Sequence, residues 1–136
     1  MKYLGIDYGD KNIGIAISDS KGIMAFPYDV IKNDNEAIQN IMKIVEENNV
    51  KTIVIGKPVN LSGKENIATE KAMKMYRELK EIFENVVLFD ERLTTSMAHV
   101  IGKKMGLDNR KRKKKVDKIA ASIILNDYLN GVKKDD

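Results

Sequence analysis

The order and patterning of the apolar segments predict an α/β protein. Its core is expected to be a mixed five-stranded sheet, an antiparallel three-strand meander plus strands parallel to the first, with helices on both faces. Three observations carry this. Short apolar runs divided by Gly-, Asp- and Asn-bearing turns crowd residues 2–31, as in consecutive hairpins. Apolar runs at 51–56 and 86–89 then alternate with stretches of helical apolar spacing, which marks βαβ crossovers. The length, 136 residues, fits one compact domain, so 1–136 is expected to share a single core.

Residues 2–8, with Tyr3, Leu4 and Ile6, read as a buried strand, and Ile13-Gly14-Ile15-Ala16-Ile17-Ser18 as a second. Tyr8-Gly9-Asp10-Lys11-Asn12 between them is turn chemistry. A further turn at Ser20-Lys21-Gly22 leads to a third strand over 24–31, where Pro27, unable to donate to a ladder, indicates a sheet edge. Asn33 with Glu36 three residues on is a capping-box pattern, and Ile38, Ile41, Met42 and Val45 hold one face of the helix that follows. Lys51-Thr52-Ile53-Val54-Ile55-Gly56 is a β-branched strand of the kind buried on both faces.

After the loop that runs from Gly56 through Pro58 to Lys64, the stripe Ala68, Ala72, Met75, Leu79, Ile82 predicts a long helix. Residues 86–89 form the last strand and 95–105 a short helix. A basic loop then leads to a final helix with Val116, Ala120, Ile123, Ile124 and Tyr128 inward, and 133–136 read as a frayed tail. The first strand is the expected pivot, with the meander on one side and the later strands on the other. Ligands of such sheets gather where strand order reverses, at the carboxyl ends of strands.

Composition narrows the function classes. No run approaches 18 apolar residues, which excludes a membrane-spanning helix. The N-terminus lacks a basic-then-apolar export signal, so a cytoplasmic protein without membrane attachment is expected. With no cysteine there is neither a disulfide framework nor a thiolate metal site. The net charge of +4 is concentrated: residues 103–118 carry nine Lys or Arg against Asp108 and Asp117, leaving the rest of the chain net negative. Such a patch suits a phosphate backbone, whereas an aromatic content of 6% offers little for base stacking.

Three carboxylates stand where elements end or begin. Asp7 lies toward the exit of the first strand, Glu91 just beyond the last, and Asp117 opens the final helical pattern. Each has an ordinary explanation: a turn cap for Asp7, neutralisation by Arg92 for Glu91, a helix first-turn acid for Asp117. None of these explains why all three should gather at one end of the sheet. Mg²⁺ or Mn²⁺ takes hard oxygen ligands, and two such ions about 3.5–4 Å apart can activate water and stabilise the leaving oxygen of a phosphodiester. Lys11, Arg92, Thr94 and Thr95 are candidate phosphate contacts near the acids. Arg110, Lys111, Arg112, Lys113, Lys114 and Lys115 are candidates for holding the backbone further out, and His99 is given no metal role.

The segment Gly5-Ile6-Asp7-Tyr8-Gly9-Asp10-Lys11-Asn12-Ile13-Gly14-Ile15-Ala16-Ile17-Ser18-Asp19 closely resembles the opening of the YqgF (RuvX) family. That family's later signatures follow in order: Gly56-Lys57-Pro58, then Asp90-Glu91-Arg92-Leu93-Thr94-Thr95, then Val116-Asp117-Lys118-Ile119-Ala120-Ala121. The resemblance implies an RNase H-like fold, a divalent-metal nuclease and Asp7, Glu91 and Asp117 as its acidic triad. The implied substrates are structured RNA, the 5′ end of pre-16S ribosomal RNA above all, or branched DNA as a Holliday junction. Ribosomal particles are an implied partner, and the chain is expected to act as a monomer or weak homodimer.

One departure stands out: related RuvC-type resolvases carry a Glu at the exit of the strand matching 51–55, where this chain has Gly56-Lys57. Glu91 is expected to substitute from the neighbouring strand, about 4.8 Å away if the two lie side by side. Two other classes compete on the residues alone. A non-catalytic RNA-binding or ribosome-assembly factor stays open. An actin-like or sugar-kinase-like nucleotide module also opens on an Ile-Asp-x-Gly hairpin but needs two domains to enclose its ligand, for which 136 residues are too few.

Overall fold

In the computed structural model the described residues are 1–58, 67–91 and 109–135, with backbone alone at 58, 91, 109–115 and 132–135. The elements run β1 (Lys2–Asp7), β2 (Asn12–Ser18), β3 (Ala25–Lys32), α1 (Ala37–Glu47), β4 (Val50–Pro58), α2 (Ile67–Ile82), β5 (Val86–Glu91) and α3 (Asn109–Asp135). The helix expected over 95–105 and most of the loop after Gly56 lie outside the described residues. The strands form one sheet in the order β3-β2-β1-β4-β5. β1 pairs antiparallel with β2 and parallel with β4, and β4 parallel with β5. The first strand is therefore the pivot that the order of elements implied.

Strand alternation sorts the core into two layers. Leu4, Ile6, Ile13, Ile15, Ile53 and Ile55 are fully buried on one face with Ile41 of α1 and Leu79 of α2. Ala16 and Val54 face the other way, beneath Ala121, Ile124, Leu125 and Leu129 of α3. Burying each such large aliphatic side chain favours folding by roughly 1.5–3 kcal/mol. β3 is the edge strand that Pro27 indicated, with Pro27 opposite Ala16 at a shift in register. The Asp29 carboxylate takes the Val30 N–H at 2.7 Å, so an edge donor is satisfied within the strand. Asn126 of α3 brackets the start of β3, its Oδ1 accepting the Ala25 N–H at 2.8 Å and its Nδ2 donating to the Ala25 carbonyl at 3.2 Å.

Four local expectations are corrected. The capping box at Asn33 and Glu36 does not form: Glu36 is the N-cap and makes no side-chain cap bond. Asp34 Oδ1 accepts the Glu36 N–H instead, and the Asn33 amide is committed to Gly9. In α2, Ala68 is exposed and Thr69 buried, while Ile82 is 56% exposed. The inward stripe continues from Leu79 to Phe83, four residues on, which leaves Ile82 to one side.

The run at 110–115 is not a loop, because α3 begins at Asn109. Asp117 thus sits inside the helix beyond two turns rather than at its opening, and Ala121, Leu125 and Leu129 join the buried stripe while Ile123 and Tyr128 are half-buried. The tail at 133–135 is helical as well. Among the described residues no helix is long and apolar enough to cross a membrane.

Candidate active site at the carboxyl end of the first strand

β1 ends at Asp7, which is half-buried and shares its strand parity with Gly5, on the face that α3 covers. A Cβ added at Gly5 would meet Leu125 Cβ at 2.8 Å and the Ala121 carbonyl oxygen at 3.0 Å, so the helix already lies close there. At Gly14 the approach is closer: an added Cβ would lie 1.9 Å from the carbonyl oxygen of Asp117. Only a residue without a side chain allows it. Gly14 is the register partner of Asp7, and directly opposed residues of an antiparallel pair have Cα atoms about 4.5–5.5 Å apart. One glycine thereby seats the backbone of Asp117 on the strand position that pairs with Asp7.

Asp117 and the β1–β2 turn enclose a cleft of about 240 Å³, lined by Gly9, Asp10, Lys11, Asn12 and Asp117. Lys11, exposed on that turn, therefore shares a cleft with an acid. The turn itself is held from two sides. Asn33 Nδ2 donates to the Gly9 carbonyl at 2.8 Å, and the Asn33 backbone N–H donates to the Lys11 carbonyl at 3.0 Å. Lys71 of α2 pairs with Asp10 at 3.0 Å, and this carboxylate holds the ammonium above the usual lysine range. A second cleft, of about 330 Å³, lies under α1 and α2 with Tyr8, Asn33, Lys71 and Lys74 in its wall. Asp34 and Glu78 there offset the two lysines, so its described lining shows no charge excess.

Glu91 is the last residue of β5 rather than just beyond the strand, because the parallel ladder with β4 runs on to its pairing with Pro58. β4 and β5 do lie side by side, as a substitution by Glu91 requires. Ile6 is level with Ile55 and Ile55 with Leu88, so Asp7 is level with Phe89 and Glu91 lies two residues further on. Two strand spacings across and two residues along put its Cα roughly 12 Å from that of Asp7. The Glu91 side chain lies outside the described part, as do Arg92, Thr94 and Thr95. Among the described residues no group of three or more His, Asp or Glu could hold a metal ion.

The basic run occupies the first two turns of α3 as backbone: Arg110 to Lys115 precede Asp117 by two to seven residues on the same helix, about 3–10 Å along its axis. No acid stands in the first turn. The positive end of a helix dipole favours phosphate anions. Sequence reasoning missed Gly14 and Asn33. An isolated glycine between Ile13 and Ile15 inside a strand is a signal of close backbone approach. Asn33 carried no signal that separated a turn clamp from a helix cap.

Comparison with known proteins agrees with this architecture. The family model described as RuvX, Holliday junction resolvase, matches residues 1–131. A protein of Clostridium botulinum is 41% identical over 137 residues, covering 98% of this chain and 100% of that one. One of Ruminiclostridium cellulolyticum is 37% identical over 136 residues, covering 97% and 96%. Both carry the name "Putative pre-16S rRNA nuclease". Among solved structures, the fowlpox virus Holliday junction resolvase aligns with a TM-score of 0.57 at 19% identity, over 96% of this chain and 99% of that one. Thermus thermophilus RuvC in complex with a Holliday junction aligns at 0.53 and 11% identity, over 98% and 96%. Identities this low speak to the fold, which is RNase H-like. By a match over nearly its whole length, the chain belongs to the RuvX family.

Proposed function

We propose that this RuvX-family nuclease is a cytoplasmic, divalent-metal-dependent phosphodiester hydrolase that matures the 5′ end of pre-16S ribosomal RNA. The observation that carries the reading is the approach of Asp117 to Gly14, opposite Asp7, at the carboxyl end of the pivot strand. Family membership supports the hydrolase class, and the name carried by relatives about 40% identical supports the substrate.

The donor set fits Mg²⁺ or Mn²⁺: oxygen ligands, with Asp117 lining a cleft beside Asp10 and Asn12, in a chain without thiols. Asp7, Glu91 and Asp117 would hold the metal, which when bound polarises the scissile phosphate and lowers the pKa of water at the site. Asp7 and Asp117 supply negative charge on the α3 face of the sheet. Lys11 balances that charge and orients a phosphate at the cleft. The basic turns of α3 take the flanking backbone as a strip of cations, positioning the strand without reading its bases. Arg92, Thr94 and Thr95, next along the chain from Glu91, are proposed to complete the phosphate contacts.

The test is cleavage of end-labelled precursor RNA, single-stranded DNA and a four-way junction with Mg²⁺ or Mn²⁺, using the native protein and Asp7→Asn. Precursor RNA cut at the 5′ boundary, with Asp7→Asn folded and inactive, is the expected result. Preferential cutting of the four-way junction would reassign the substrate. Full activity of Asp7→Asn would remove the metal site.

A further inference from the structure

We propose that Asn33 is a positioning residue for phosphate capture: it fixes the β1–β2 turn so that Lys11 meets the substrate backbone beside Asp117. This rests on the nuclease reading above and adds to it a residue outside the family's signature segments. The observations are geometric. Asn33 follows β3, two strands away from β1, yet it contacts the turn twice. Its side-chain amide donates to the Gly9 carbonyl at 2.8 Å, and its backbone N–H donates to the Lys11 carbonyl at 3.0 Å. The two acceptors bracket Asp10, so the turn is fixed on both sides of its tip.

Those same turn residues, Gly9 to Asn12, line the cleft that Asp117 completes. A flexible lysine on a loose turn loses conformational entropy when it binds a phosphate; on a turn already fixed, only its own side chain is ordered. The other tether, Lys71 to Asp10, has side chains 49% and 73% exposed. Water and salt screen such a pair, so it holds the turn weakly. The Asn33 amide bond is part-buried and uncharged, and keeps its strength as salt rises.

The experiment measures binding of a phosphorothioate, non-cleavable precursor RNA in Ca²⁺ over a range of salt. The proteins are the native chain, Lys11→Ala, Asn33→Ala, Asn33→Leu, Lys71→Ala and the double variant Lys11→Ala/Asn33→Ala, with thermal unfolding of each. Removing one phosphate contact flattens the slope of log affinity on log salt by about 0.7–0.9. Lys11→Ala is expected to show that change, and both Asn33 variants most of it. The double variant should match Lys11→Ala alone, and Lys71→Ala the native chain.

Losses at Lys11 and Asn33 that add, or an Asn33 slope equal to the native one, would overturn the inference while leaving the nuclease reading intact. A native protein with no salt-dependent affinity for the RNA would overturn both. Asn33→Leu keeps side-chain bulk without the donor, so if Asn33→Ala unfolds, the slope of Asn33→Leu decides.

Discussion

Gly14→Ala is the substitution that most sharply probes how the site is built. The added Cβ would lie 1.9 Å from the Asp117 carbonyl oxygen, whereas real Cβ atoms essentially never come under 3.0 Å. The obstacle is helix backbone rather than the tip of a flexible side chain, so α3 must retreat at Asp117. The retreat needed is about 1–1.5 Å, of the size whose effect on a catalytic constellation is on the order of 10²-fold. Overpacking of this kind costs about 1–3 kcal/mol. For a chain of this length that lowers Tm by about 3–15 °C.

Gly5→Ala is the internal control. Its Cβ would meet Leu125 Cβ at 2.8 Å and the Ala121 carbonyl oxygen at 3.0 Å, milder clashes one or two helical turns beyond Asp117. Metal-dependent cleavage and thermal unfolding would be measured side by side, each variant assayed at a fixed interval below its own Tm. Gly14→Ala should lose far more activity than Gly5→Ala when stability is matched. Native rates and native Tm in Gly14→Ala would refute the claim that this contact positions Asp117.

Other perturbations test separate parts of the account. Replacing Lys113 and Lys114 together with Gln should weaken RNA binding across sequences and flatten the salt slope by about 1.5, read from filter binding at several salt concentrations; an unchanged slope would move the binding surface elsewhere. Tyr128 packs edge-on to Phe89 at 5.9 Å and tilted against Tyr3 at 6.1 Å, and burial pushes its phenol above the usual tyrosine range. A raised folded-state pKa means the stabilisation is fully present below pH 10, the ordinary value, and is lost as pH climbs through the folded one. Denaturant unfolding between pH 8 and 11.5 should therefore show a smaller alkaline loss for Tyr128→Phe than for the native chain, and equal losses would contradict it.

Much of the architecture was legible because the apolar runs are short, β-branched and divided by turn residues, and Pro27 marked the edge. What escaped depended on contacts distant in sequence. Six consecutive cations read as a loop, yet Lys and Arg are good helix formers, and the packed stretch from Val116 to Leu129 propagates the helix back through them. That moved Asp117 from the helix opening to its interior, where a first-turn explanation for the acid no longer applies. Asn33 has the spacing of a cap, but its amide is taken by Gly9, a partner that only the folded meander brings near. The pairing of Asp7 with Gly14 is readable as a hairpin, whereas the arrival of Asp117 upon Gly14 is a tertiary event that only a lone strand glycine hinted at.

The central claim, that carboxylates from β1, β5 and α3 act on one metal centre, is tested most directly at its most distant member. The measurement is the Mn²⁺-dependent cleavage rate of Glu91→Gln on labelled precursor RNA, over a Mn²⁺ titration. A loss on the order of 10²-fold or more is expected, with the fold and RNA affinity retained. A native rate at native Mn²⁺ concentrations would contradict it.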